Sequence, residues 1–201
     1  MGEARSTPAG LELRGRRVLV FGLARSGQAA AELLRGRAAR VVGVDEGEAL
    51  PGLQASGWVR AHLERASGQA DPALLDGVEL FVLSPGIPTT HALVRAAAAR
   101  GVPVLSEIEL AFRCSAASVV AITGSKGKST TAALTGALLA AQGKTCRVAG
   151  NIGLPYSAVA GRLAADDWVV LELSSFQLET VDAFHARVAV LLQVSPDHLD
   201  R

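Results

Sequence analysis

Aromatic residues are scarce, at 4% of 201 positions. Stacking platforms for single-stranded nucleic acid and aromatic-lined sugar grooves are therefore not available. Cysteine is scarcer still. Cys114 and Cys146 have no Cys-x-x-Cys partner and no His-rich neighbour, which excludes a zinc pattern and a disulfide framework and fits a reducing compartment. No sign of charge dominates: 20 Lys+Arg stand against 19 Asp+Glu, a formal +1, which argues against a general nucleic-acid binder. Long apolar runs are missing too. The most apolar helix-like stretch, Ala132–Ala141, is broken by Thr135 and Gly136, whereas a membrane span takes about 20 apolar residues. Met1–Gly10 has no apolar stretch of the kind a secretory signal needs. What is present is 49% hydrophobic and 19% charged residues, enough for a packed core in one large domain or two small ones. The chain reads as a soluble, cytoplasmic protein that enters no membrane and binds no nucleic acid.

Short Val/Leu/Ile runs alternate with Ala/Leu-rich segments, the pattern of βαβ units on parallel sheets. The runs predict strands at Arg17–Phe21, Arg40–Val44, Glu79–Leu83, Val102–Leu105, Ser118–Ile122, Trp168–Leu173 and Arg187–Val194. Helices are predicted at Gly27–Arg35, His91–Ala99, Glu107–Arg113, Ser129–Gln142 and Tyr156–Leu163. In Ser129–Gln142, the spacing of Leu134, Leu138 and Leu139 predicts one buried stripe. A short helix and a strand are expected within the Gly/Pro-punctuated segment Glu46–Gly77. Two strand–Gly-loop–helix openings occur, after Phe21 and after Ile122, so the chain is expected to divide near Ser106 into domains at 1–105 and 106–201. The fold class is α/β: a Rossmann-like unit followed by a P-loop-type unit. The second has only about three strands and two helices before Arg201, fewer than a domain of roughly 100–150 residues carries. It is expected to be incomplete.

The first loop reads Val18-Leu-Val-Phe-Gly22-Leu-Ala24-Arg-Ser-Gly27. It follows a strand and opens a helix, as a dinucleotide fingerprint does, and Asp45 ends the next strand where an acidic ribose ligand would sit. Ala24 replaces the second glycine, and its methyl obstructs a pyrophosphate. Either this is a plain βα turn or a nucleotide diphosphate sits at the helix N-terminus; the motif does not choose NAD over a UDP-sugar. The candidate contacts are Gly22, Arg25, Ser26, Gly27 and Asp45. Ser84, Pro85 and Gly86, in the loop Ser84–Pro88, join them because ligands of open α/β sheets bind beyond the carboxyl ends of strands; a rigid two-proline turn is the alternative.

The second loop carries more chemistry. Thr123-Gly-Ser-Lys-Gly-Lys-Ser-Thr130 offers glycines for backbone approach, a lysine for β/γ-phosphates and hydroxyls for Mg²⁺. Ile122 stands where the standard pattern has glycine, so Gly124 begins a shortened variant. The candidate ATP contacts are Gly124, Ser125, Lys126, Gly127, Lys128, Ser129 and Thr130. Glu172 closes an apolar strand, where a carboxylate is costly unless paired or on a metal. By spacing alone, His198 reads as a surface residue and Asn151 as a turn residue.

These residues resemble the Mur ligase family. Thr123–Thr130 is similar to its ATP loop, usually Thr-Gly-Thr-Asn-Gly-Lys. Gly150-Asn-Ile-Gly153, Leu171-Glu-Leu-Ser-Ser-Phe-Gln-Leu-Glu179 and Ser195-Pro-Asp-His-Leu-Asp-Arg201 resemble further family segments. The Ser174–Glu179 run and Ser84–Pro88 resemble the branch that adds D-glutamate. The resemblance runs from about Gly15 to Arg201. It implies ATP-dependent ligation of D-glutamate to UDP-MurNAc-L-Ala through an acyl phosphate, in peptidoglycan precursor synthesis, by an enzyme that is a monomer at full length. Two Mg²⁺ sites are implied, with Ser129, Thr130, Glu172 and His198 as ligands. Lys128, Glu172 and His198 become catalytic, and Asn151, Ser174 and Gln177 become substrate contacts. Two departures stand in the loop, Ser125 for Thr and Lys126 for Asn, and the lysine adds positive charge. The family's carbamylated lysine lies beyond the Asp-His-x-Asp motif, and Lys126, Lys128 and Lys144, the chain's three lysines, cannot replace it. This chain alone is therefore expected to bind ligands without ligating them.

Overall fold

The computed structural model describes residues 11–38, 40–46, 59–62 and 72–196. The first unit runs β1 (Arg17–Phe21), α1 (Arg25–Leu34), β2 (Arg40–Asp45), β3 (Val59–His62), a 3-10 turn (Pro72–Leu75), β4 (Leu80–Leu83), α2 (Ala92–Ala99) and β5 (Val104–Ser106). Its strands lie in the order β3-β2-β1-β4-β5, and every pairing is parallel. Alternation along each strand feeds two cores. Val18, Val20, Leu80 and Val82 face one side of the sheet. Leu19, Phe21, Phe81 and Leu83 face the other. That double burial is why the strands read as unbroken apolar runs. The chain reverses direction across the sheet between β1 and β4, so a crevice opens beyond their carboxyl ends.

The second unit runs α3 (Glu107–Arg113), β6 (Ser118–Thr123), α4 (Lys128–Ala141), β7 (Cys146–Gly150), α5 (Tyr156–Ala160), β8 (Trp168–Glu172), α6 (Ser175–Leu178) and β9 (Val188–Leu191). Its order is β7-β8-β6-β9, again parallel throughout. The predicted strands and long helices are present with ends shifted by a few residues. The single-turn α6 was not anticipated, because four residues are too few to show a helical period. Within Glu46–Gly77 the described residues hold β3 and the 3-10 turn.

The leucine stripe predicted on α4 is wrong. Leu134 and Leu138 are 58% and 55% exposed, while Ala132 and Gly136 are buried. The helix lies so close to the sheet that a Cβ on Gly136 would overlap Val148 Cγ2. Small residues set that distance, and Leu134 and Leu138 are turned outward while Leu139 packs partly buried against the core.

One core spans both sheets. It joins Val18 and Val20 of β1 to Val119 of β6 and Val169 and Leu171 of β8, with α1, α3 and α5 packed between. Two glutamates of α3 are buried in this joint. Glu107 Oε1 accepts from the Ser157 N–H at 2.6 Å, whereas its Oε2 has no partner of normal geometry. Burial pushes the Glu107 pKa up to about 6, with the Ser157 backbone and side chain opposing. For Glu109, burial acts upward, but N–H groups from Asp182, Ala183 and Phe184 together with Arg113 hold it below the usual range.

A carboxyl raised in the folded chain favours folding while protonated. That contribution is full below about pH 4.5 and is lost as pH rises through about 6. The Glu107→Gln variant is therefore expected to match the parent near pH 4.5 and to exceed it by about 2 kcal/mol at pH 8. Denaturant unfolding at the two pH values measures this; a pH-independent difference contradicts it.

Candidate functional site: two loop crevices and the turn between them

At the first crevice the loop after β1 is held from three sides. The Gly22 N–H donates to the Val44 carbonyl at 2.8 Å. The Leu23 N–H donates to Asp45 Oδ2. Ser84 Oγ donates to the Gly22 carbonyl at 2.6 Å, and the Ser84 N–H donates to the Phe21 carbonyl at 3.0 Å. Gly22 sits at φ +87°, where a side chain is strained, and its added Cβ would come within 2.9 Å of Ser84 and Ile87. A Cβ on Gly27 would overlap the Gly22 carbonyl. Glycine is required at both ends because the loop folds back on the helix it opens. Ala24 provides no side-chain cap for α1, and no acidic residue lies in its first turn, so the leading amides are suited to an anion.

Asp45 and Ser84 thus hold the loop itself. Ser26 is half-buried at the start of α1, Pro85 is half-buried, and Gly86 faces open space. His91, given no role on sequence grounds, closes the crevice wall. Its Nδ1 accepts from the Leu93 N–H at 3.1 Å, so Nε2 carries the proton toward Glu46 Oε1 at 2.9 Å. Its ring meets Phe21 edge-on at 4.8 Å. A lone histidine at the end of a loop gives no local signal; only the approach of β1, β2 and β4 assigns it this place.

The second crevice opens beyond β6. Gly124 has φ +138°, and a Cβ there would press on Leu192 at 2.9 Å. The Ser125 N–H donates to the Gln193 carbonyl at 2.8 Å, and Ser125 Oγ exchanges hydrogen bonds with the Ser195 backbone at 2.9 Å. Lys128, the first residue of α4, folds its ammonium over the loop to the carbonyls of Gly124 at 2.6 Å and Ser125 at 3.1 Å. Lys126, Ser129 and Thr130 are exposed at the loop mouth.

Glu172 ends β8 next to Ile122 of β6 and is 3% exposed. Its Oε1 accepts from Asn151 Nδ2 at 3.0 Å, and its Oε2 is buried with no hydrogen-bond partner. A buried carboxylate oxygen left open beside a phosphate loop fits a Mg²⁺ ligand. Ser174 and Gln177 cap each other: the Ser174 N–H donates to Gln177 Oε1 at 3.0 Å and the Gln177 N–H to Ser174 Oγ at 3.4 Å, which starts α6. His198 lies outside the described residues.

The turn Gly150–Gly153 links the crevices. Asn151 reaches Glu172 on one side. On the other, Arg25 of α1 donates from Nη2 to the Gly153 carbonyl. Arg25 is therefore directed across the gap between units rather than into its own loop. A Gly27→Ala variant is expected to displace the first loop at a cost of about 1–3 kcal/mol and to abolish ligand binding at the first crevice. Calorimetry and thermal unfolding measure both; a variant with parental stability would contradict the geometry.

Comparison with known proteins adds family evidence. The description "Mur ligase MurD-like, N-terminal domain" matches residues 16–106, and "Mur ligase middle domain" matches residues 122–201. The chain is 50% identical over 194 residues to UDP-N-acetylmuramoylalanine--D-glutamate ligase of Anaeromyxobacter dehalogenans, covering 94% of this chain and 41% of that protein. It is 45% identical over 195 residues to the protein of the same name from Myxococcus xanthus, covering 95% and 42%. It thus spans about two fifths of the length of these relatives. Among solved structures, UDP-N-acetylmuramate:L-alanyl-gamma-D-glutamyl-meso-diaminopimelate ligase from Neisseria meningitides aligns with a TM-score of 0.60 at 20% identity, over 93% of this chain and 63% of that one, a likeness of fold. With the N-terminal and middle domain descriptions matched in order along it, the chain belongs to the Mur ligase family.

Proposed function

We propose that the chain forms the nucleotide-sugar-binding and ATP-binding part of a cytoplasmic ligase that joins D-glutamate to UDP-MurNAc-L-Ala, the two parts dividing near Ser106. The observation that carries this reading is the Gly150–Gly153 turn, which touches Arg25 beside the first loop and Glu172 beside the second. An acceptor held in the first crevice then presents its far end to a phosphate held in the second. Among the described residues no helix is long and apolar enough to cross a membrane.

In this reading a carboxylate oxygen of the sugar peptide attacks the γ-phosphorus of ATP, and the bond to ADP breaks. The D-glutamate amine then attacks the acyl carbon, phosphate leaves, and the amine proton passes to solvent. The first step brings two anions together, so catalysis rests on positive charge and positioning. Lys128 exchanges its two carbonyl partners for phosphate oxygens, and the amides of Gly124–Thr130 line the phosphates. Ser129, Thr130, Glu172 and His198 would hold Mg²⁺, which supplies charge neutralisation at the transferred phosphoryl group. Asn151 keeps Glu172 oriented.

Binding is the direct readout for this chain. Calorimetry is expected to show UDP-MurNAc-L-Ala bound in preference to NAD; tighter binding of NAD would sink the assignment of the first crevice. Lys128→Ala is expected to weaken Mg·ATP by about 1.5–3 kcal/mol, the worth of a charge-assisted hydrogen bond. Unchanged affinity would refute the role given to the second loop.

A further inference from the structure

Among the described residues β9 pairs with β6, and Val190 and Leu192 pack partly buried against the core of the second unit. The residues directly after β9 build one wall of the phosphate loop. The Leu192 N–H donates to the Thr123 carbonyl at 2.9 Å, Gln193 accepts from Ser125, and Ser195 exchanges hydrogen bonds with the Ser125 hydroxyl. These bonds hold the strand from its loop end, and the segment before β9 holds it from the other.

The preceding segment supplies the anchor. Backbone N–H groups of Asp182, Ala183 and Phe184 donate to Glu109 at 2.9, 3.0 and 2.9 Å. Three successive amides on one anion form the concavity that elsewhere holds a phosphate; here the chain fills it with its own carboxylate. Glu109 is fully buried, and Arg113 Nε completes its shell at 2.5 Å. Arg113 Nη2 also reaches Asp182 at 2.7 Å. Around this centre, the Ser106 N–H donates to the Thr180 carbonyl at 3.1 Å, and Phe112 meets Phe184 edge-on at 5.3 Å. Three residues, 185–187, then separate the anchor from β9.

Resting on the ATP-site reading above, we infer that Glu109 is a positioning residue for the phosphate loop. By fixing 182–184 on α3, it sets where Leu192–Ser195 meets Thr123–Ser125. It touches no ligand. Because α3 follows β5 directly, the helix that joins the first unit to the second also sets the geometry of the second unit's loop.

Glu109→Gln tests this, since an amide presents an NH₂ to backbone donors and leaves some of them buried and unpaired. Leu110→Ala is the comparator: Leu110 is buried on the same helix, and its truncation costs stability without removing the anchor. Binding of a non-hydrolysable Mg·ATP analogue and amide exchange are measured on the folded chain for both. The expected result is at least a tenfold loss of affinity and faster exchange at Ser125, Leu192 and Ser195 in Glu109→Gln. Leu110→Ala is expected to stay within twofold at a comparable loss of Tm. Parental affinity with parental exchange in Glu109→Gln overturns the inference, as does an affinity loss that tracks Tm equally in both variants. Should the parent bind no analogue, the ATP reading fails, and the exchange arm alone decides the role of Glu109. If Glu109→Gln does not fold, Glu109→Asp, with the same charge on a shorter arm, is held to the same outcomes.

Discussion

The burial of two carboxylates on α3 is the constraint from which the site geometry follows. A charge removed from water must be met by donors, and on α3 itself Arg113 supplies one to Glu109, so the rest come from other segments. Glu107 therefore reaches the N–H of Ser157 in α5, and Glu109 reaches three N–H groups between α6 and β9. α5 follows the Asn151 turn, and β9 precedes the wall of the phosphate loop. One short helix thus orients both segments that face the second loop. The two glutamates, two positions apart, point to different partners and titrate in opposite directions for that reason: Glu107 is met by Ser157 alone, and Glu109 by three amides and Arg113.

Electrostatic preparation is uneven across the crevices. In the first, the loop's polar groups are already engaged, with Asp45 on Leu23 and Ser84 on Gly22. The backbone there is already shaped by these bonds. In the second, Lys128 rests on loop carbonyls that phosphate oxygens outcompete in charge, and Glu172 keeps one buried oxygen without a partner. A buried carboxylate oxygen without a partner costs stability locally, which the proposed binding of a cation and polyphosphate would offset. The turn carrying Asn151 touches both, through Arg25 beside the rigid crevice and Glu172 beside the unsatisfied one.

What the sequence by itself determined was local. Apolar runs of five or six residues specify strands buried on both faces, and the glycines at 22, 27, 124 and 127 specify loops in which backbone must approach backbone. The Thr123–Thr130 and Ser174–Glu179 runs carry the family resemblance, because each is a contiguous stretch legible without the fold. What only the tertiary structure decided concerns direction and distance. Leu134 and Leu138 have helical spacing, yet Gly136 against Val148 turns them to solvent. Arg25 belongs to the first loop's motif but is spent on Gly153. His91 and Glu109 carry no motif and acquire roles only where separate strands and loops converge. A period or a spacing records which residues share an element; it holds no record of how closely two elements approach, and hydrogen bonds with partners 45 or 73 positions away in the chain depend on that approach alone.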